Sequence, residues 1–220
     1  MIIKAIIFDV DGTLIDSLDV MTEAAKKVAK EFNLRGDIEK VREMVGLKPE
    51  NVIRQIFGLS DDKEIQNFKR RWSEEALIML IDQGKGKLFP DTLKVMQTLK
   101  NKGYKIGLGS SLLRHMIENI AKAYGFFEYV DAYVGSDEVE RGKPEPDTFL
   151  EVARRLNVSP NEAIVVGDTL YDIIAGLKGG FLTVLVDYYD RYNPKEIGKK
   201  PHYYIKSLSE LMQILEETKN

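Results

Sequence analysis

The chain has 220 residues, 44% of them hydrophobic and 30% charged, the composition of a folded globular protein and not of a disordered one. Lys+Arg 32 against Asp+Glu 35 gives a net charge of −3, evenly mixed, so no basic face stands out and nucleic acid is not expected as a partner. Cysteine is absent, which excludes disulfides, thiol catalysis and cysteine-ligated zinc and fits a reducing compartment.

The start, Met1-Ile2-Ile3-Lys4, lacks a charged region ahead of a long apolar one, and no apolar run is long enough to span a bilayer. A cytoplasmic location and no membrane partner are therefore expected. Lys, Glu and Ile are abundant, which would suit a thermophile.

The first element is the apolar, isoleucine-rich run that ends in Phe8-Asp9-Val10-Asp11-Gly12-Thr13. It is short and β-branched and lacks alternation, so it reads as a strand buried on both faces of a parallel sheet. Asp9 and Asp11 then share one side of the extended chain, and Gly12 lets the backbone turn away. Asp-Gly after a strand is also a common turn signal. Two carboxylates one residue apart, however, repel each other and prefer a cation between them.

After the bridge Leu14 to Leu18, helical spacing runs from Leu18 to Phe32, with Val20, Ala24, Val28 and Phe32 on one face. Gly36-Asp37 stops it. Further helices are predicted over Ile38 to Val45, over Glu50 to Phe57 with Pro49 at its first position, and from an Asp61-Asp62 cap to about Ile81. Gly84 to Pro90 reads as a return linker. From Asp91 strands and helices alternate, with strands expected at Tyr104–Gly109, Ala132–Val134, Ala163–Val166 and Phe181–Val186. Ser110-Ser111 is read as opening the helix to Tyr124, and other helices are placed at Asp147–Leu156 and from about Tyr171. Tyr188 to Lys200 is read as a loop, His202–Ile205 as an edge strand and Leu208–Glu217 as a closing helix. The expected fold is α/β: a doubly wound parallel sheet, residues 1–16 and 87–220, with an all-helical insert over residues 17–86.

In such folds ligands sit at the carboxyl ends of the strands. Asp168 ends a later strand and Asp172 follows one helical turn on, so with Asp9 and Asp11 four carboxylates cluster. Oxygen-only ligands of this kind suit Mg²⁺, which keeps waters and takes a substrate phosphate. Asp168 could by itself be a helix cap, but a cap does not explain Asp172 or the first-strand carboxylates. Ser110 and Ser111, at a strand-to-helix junction, either cap the helix or bind phosphate. Lys143, between Gly142 and Pro144, is read as a placed charge for an anionic substrate.

Asp9-x-Asp11-Gly12-Thr13, Ser110, Lys143 in Gly-Lys-Pro-x-Pro, and Gly167-Asp168-x-x-x-Asp172 resemble, in order, the four motifs of the haloacid dehalogenase-like hydrolases. The insert resembles the helical cap of the phosphoglycolate phosphatase-like members, over a Rossmann-like core. The resemblance implies that Asp9 attacks phosphorus to form an aspartyl-phosphate, and that Asp11 serves as acid and then base. It further implies Mg²⁺ held by Asp9, the Asp11 backbone carbonyl and Asp168 with Asp172 in support, and phosphoryl oxygens held by Ser110 and Lys143. Gly12, Thr13 and Ser111, with Gly46, Lys48 and Arg54 of the cap, are the expected substrate contacts.

The expected partner is a small phosphorylated metabolite, with phosphoglycolate the named example and a small sugar or nucleotide phosphate beside it. A homodimer is a possible assembly that the sequence does not decide. Asp11 speaks against the family's dehalogenases, which carry tyrosine there, and its phosphonoacetaldehyde hydrolases, which carry alanine. A phosphosugar mutase of the β-phosphoglucomutase type shares all four motifs and is the alternative. A non-catalytic receiver-like module is a second one, but receivers lack the helical insert.

Overall fold

The computed structural model of the protein describes residues 2–193, 198 and 200–218. Residues 194–197 and 199 of the expected loop from Tyr188 to Lys200 lie outside the described residues.

The first strand, β1 (Ala5–Phe8), is wholly buried. Ile6 and Phe8 join one apolar cluster and Ala5 and Ile7 another, as the two-residue period of a strand requires. That is why the sequence run shows no polar alternation: both faces are covered. A second, two-residue strand, β2 (Ile15–Asp16), follows.

Four helices come next: α1 (Leu18–Glu31), α2 (Ile38–Met44), α3 (Pro49–Phe57) and α4 (Asp62–Leu77). Pro49 stands at the first position of α3, and Gly58 ends it in the left-handed conformation at φ 69°. The Asp61 carboxylate accepts from the Glu64 N–H at 3.0 Å and caps α4. A π-helical turn, Ile78–Asp82, extends α4. These helices pack around Phe68, which is fully buried against Phe32, Phe57 and Trp72 with ring centroids 4.9–6.3 Å apart. Burying a side chain of this size contributes roughly 1.5–3 kcal/mol.

The chain returns through β3 (Lys87–Leu88), antiparallel to β2. It continues with α5 (Thr92–Asn101), β4 (Lys105–Gly109), α6 (Arg114–Ala123), β5 (Ala132–Val134), α7 (Asp147–Leu156), β6 (Ala163–Gly167), α8 (Leu170–Lys178), β7 (Leu182–Val186), β8 (Tyr203–Ile205) and α9 (Leu211–Glu217). Six strands form one parallel sheet in the order β5-β4-β1-β6-β7-β8. Buried residues of α7 pack with Ala5 and Ile7, while those of α5, α6 and α9 pack with Ile6 and Phe8. The fold is a doubly wound parallel sheet with an inserted all-helical cap. The apolar core of the cap is continuous with one face of the sheet.

Two sequence expectations are corrected. The bridge at Ile15-Asp16 and the return linker at Lys87-Leu88 pair as a two-stranded ribbon, Ile15 with Leu88 and Asp16 with Lys87. Neither segment carries a strand signal alone, because two-residue strands are made by their partner. The helix expected to open at Ser110-Ser111 begins at Arg114, with Leu113 at its cap position.

Candidate active site

Strand β1 lies between β4 and β6, where the chain order of the sheet reverses, and all three run the same way. Their carboxyl ends therefore open on one crevice, the place where doubly wound sheets bind ligands. Asp9 follows β1, Ser110 follows β4 and Asp168 follows β6. The Asp9 N–H still bonds the Val166 carbonyl at 2.9 Å, so the first carboxylate stands on the sheet itself. Gly12 then turns the chain at φ +79°, and a Cβ there would press into the Asp168 carboxylate, so only glycine fits.

Asp9, Asp11, Ser110, Lys143, Asp168 and Asp172 are all buried. Lys143 Nζ lies 2.7 Å from Asp9 Oδ1 and 2.6 Å from Asp172 Oδ1, and 4.9 Å over the Phe149 ring. Burial works against its charge, but the Asp172 and Asp9 carboxylates outweigh it and raise its pKa above the usual lysine value. Thr169 caps α8: its hydroxyl and N–H both donate to Asp172 Oδ2, at 2.6 and 3.1 Å, which leaves Oδ1 for Lys143. Thr169, not Asp168, is thus the cap, and Asp168 takes no part in capping α8.

Asp9, Asp168 and Asp172 each offer an oxygen within 4.8 Å of the others. Burial raises the pKa of Asp9, with Asp172 and Asp168 adding to the shift and Lys143 opposing it. Burial raises Asp168 as well, with Asp172 adding and Arg191 opposing. Asp172 Oδ1 meets the Lys143 ammonium at 2.6 Å. Three crowded acids that offer only oxygen donors fit a hard divalent cation. The Asp11 carboxylate lies outside this triad. It accepts from Ser17 Oγ at 2.6 Å, and burial pushes its pKa up to about 7 against that hydrogen bond, with Asp9 adding.

Asp11 also lines a cavity between cap and core. The cap contributes Met21, Leu47, Val52, Lys69 and Trp72, and the core Ser111, Leu113 and Met116. Gly46 lies on this wall too, its carbonyl accepting from Ser111 Oγ at 2.5 Å. Ser110 Oγ accepts from the Leu112 N–H at 3.2 Å, shaping the turn after β4.

Three expected substrate contacts are placed otherwise. The Thr13 hydroxyl donates to Asp168 Oδ1 at 2.9 Å and is fully buried, so it orients a carboxylate. Arg54 binds the Ser60 carbonyl and Asp62 on the cap and does not line the cavity. Lys48 also stands outside the cavity lining and donates to the Val139 and Glu140 carbonyls of the core. Side-chain direction decided each case, and spacing does not carry it.

Four supporting residues have no motif in the sequence reading. Ser17 holds Asp11; Arg191 donates to Asp168 Oδ2 at 2.7 Å and to its carbonyl at 2.9 Å. Tyr188 stacks on Phe89 at 3.7 Å and donates to the Thr13 carbonyl, and Tyr189 donates to Asp16. Only Ser17 had a signal, a hydroxyl six residues beyond Asp11 at the start of a helix. The others come from the far loop after β7.

The family model described as haloacid dehalogenase-like hydrolase matches residues 6–186. The chain is 32% identical over 215 residues to a Clostridium perfringens protein named for the pyrophosphatase PpaX, covering 98% of both chains. It is 29% identical over 194 residues to the phosphoglycolate phosphatase of Aquifex aeolicus, covering 83% of this chain and 84% of the other. A solved haloacid dehalogenase-like hydrolase of Bacteroides fragilis superimposes with a TM-score of 0.84 at 25% identity, over 95% of this chain and 99% of its own. With its four motifs gathered in one crevice of this fold, the chain belongs to the haloacid dehalogenase-like hydrolases.

Proposed function

We propose that the protein is a phosphatase that hydrolyses a small phosphomonoester through an aspartyl-phosphate on Asp9. The observation that carries this reading is Asp9 itself: a buried carboxylate at a strand end, paired with Lys143 at 2.7 Å and grouped with Asp168 and Asp172.

In this reading one Asp9 oxygen attacks phosphorus in line with the leaving oxygen, and the P–O bond to the leaving group breaks. Lys143 favours the ionised form of Asp9 against burial and offers its third N–H to a phosphoryl oxygen. Ser110 and the backbone beside it receive another oxygen. Asp11, with a pKa near neutrality and a place on the cavity wall, donates its proton to the leaving oxygen. It then takes a proton from the water that attacks the aspartyl-phosphate, returning Asp9 and releasing phosphate. Asp9, Asp168 and Asp172 would hold Mg²⁺, which when bound shields the approach of the phosphoryl anion to the carboxylate. Thr13 and Arg191 orient Asp168 for that task.

The leaving group faces a largely apolar wall, Met21, Leu47, Val52, Trp72, Leu113 and Met116, which favours an organic alcohol over a second phosphate, and Lys69 on the same wall suits one that carries a carboxylate. Similarity to a protein named for a pyrophosphatase favours pyrophosphate as a second reading. Phosphate release from phosphoglycolate, pyrophosphate and small sugar phosphates, with and without Mg²⁺, separates the two. Turnover of a monoester, its loss on chelation, and its fall by orders of magnitude in Asp9→Asn are expected. Full activity of Asp9→Asn refutes the mechanism, and exclusive turnover of pyrophosphate refutes the monoester assignment.

A further inference from the structure

The cap loop Val45–Lys48 touches three of the four core loops that bear site residues. Its Gly46 carbonyl accepts from Ser111, beside Ser110. A Cβ on Gly46 would stand 3.2 Å from Thr169 Oγ1, beside Asp168. Lys48 reaches the third loop: its Nζ donates to the Val139 carbonyl at 2.7 Å and the Glu140 carbonyl at 3.0 Å. The stem of Lys48 lies flat on Gly142, where a Cβ would come to 2.5 Å from Lys48 Cγ and 3.2 Å from Cδ. The next residue is Lys143.

We infer that Lys48 is a positioning residue, a latch by which the docked cap fixes the loop that carries Lys143. The inference rests on the phosphatase reading of the site. The Val139 carbonyl is part-buried and the Glu140 carbonyl exposed, and a cation on the cap replaces water at both only when the cap is docked. Gly142 leaves room for the lysine stem at that contact and keeps the two backbones close. Cap docking and placement of the Lys143 ammonium are then one event, so the catalytic constellation is completed as the cavity closes. Lys48 acts through the loop and not on the substrate, which is why its ammonium meets backbone carbonyls and stands off the cavity wall.

The test compares Lys48→Met, which keeps the stem and removes the donors, with Lys48→Arg, which keeps a cation. The first readout is backbone hydrogen exchange over residues 139–146 with Mg²⁺ and inorganic phosphate present, which needs no turnover. The second is kcat/KM on the best phosphomonoester. Lys48→Met is expected to raise exchange in residues 139–146, leave β6 unchanged and lower kcat/KM about 10- to 100-fold, the worth of hydrogen bonds from a charged donor. Lys48→Arg is expected to restore both. Unchanged exchange in Lys48→Met overturns the latch, whether activity stays, because no coupling exists, or falls, because the lysine then touches substrate. Failure of the wild type to hydrolyse any monoester overturns the phosphatase reading instead, and the exchange result still judges the latch.

Discussion

Ser17 offers a direct test of how Asp11 is tuned. Its hydroxyl donates to Asp11 Oδ1 at 2.6 Å in a buried setting, and it is the largest influence holding the Asp11 pKa down against burial. Ser17→Ala removes that donor. A hydrogen bond to a charged group is worth about 1.5–3 kcal/mol. One pKa unit corresponds to about 1.4 kcal/mol, so the full loss would raise Asp11 by roughly one to two units. The protonated carboxyl also loses a partner, so a rise of about one unit is expected. As the acid for the leaving oxygen, Asp11 must start protonated, and kcat/KM falls as pH rises through its pKa. The alkaline limb of the profile should therefore move up by about one unit in Ser17→Ala. The assay is phosphate release from an alkyl phosphomonoester across pH. Substrate ionisation is common to both proteins and cancels in the comparison. A limb that stays in place or moves down refutes the role of Ser17 and the assignment of Asp11 as the acid.

Two further outcomes follow from the same cluster. Asp9, Asp11 and Asp168 have pKa values raised above the ordinary 3.8, so between about pH 4 and about 7 the folded protein keeps protons that the unfolded chain has released. Stability without metal should fall as pH rises through that window, and Mg²⁺ should raise the melting temperature more at pH 7 than at pH 5. An equal gain at both would show that the carboxylates do not hold the cation. Gly12→Ala should destabilise the fold by at least about 1 kcal/mol, from the left-handed φ alone. It should also weaken cation binding, read by calorimetry, because the methyl group displaces Asp168; wild-type affinity would refute the close packing.

The sequence by itself determined the order of elements and the family. The isoleucine run of β1, uniform because both faces are buried, fixed a central parallel strand, and four short motifs at strand ends fixed which loops meet. Those features are local, since each is set by a strand period, a turn glycine or a helix cap. Tertiary structure alone decided where long side chains point. Lys48 and Arg54 lie six residues apart in the cap, yet one reaches core carbonyls and the other a cap carboxylate. Thr13 sits inside a motif and turns to Asp168, while Arg191 reaches the same carboxylate from a loop with no motif. Hydrogen-bond partners for such groups are chosen by contacts between elements more than a hundred residues apart in some cases and 23 in another, a relation that no local spacing encodes.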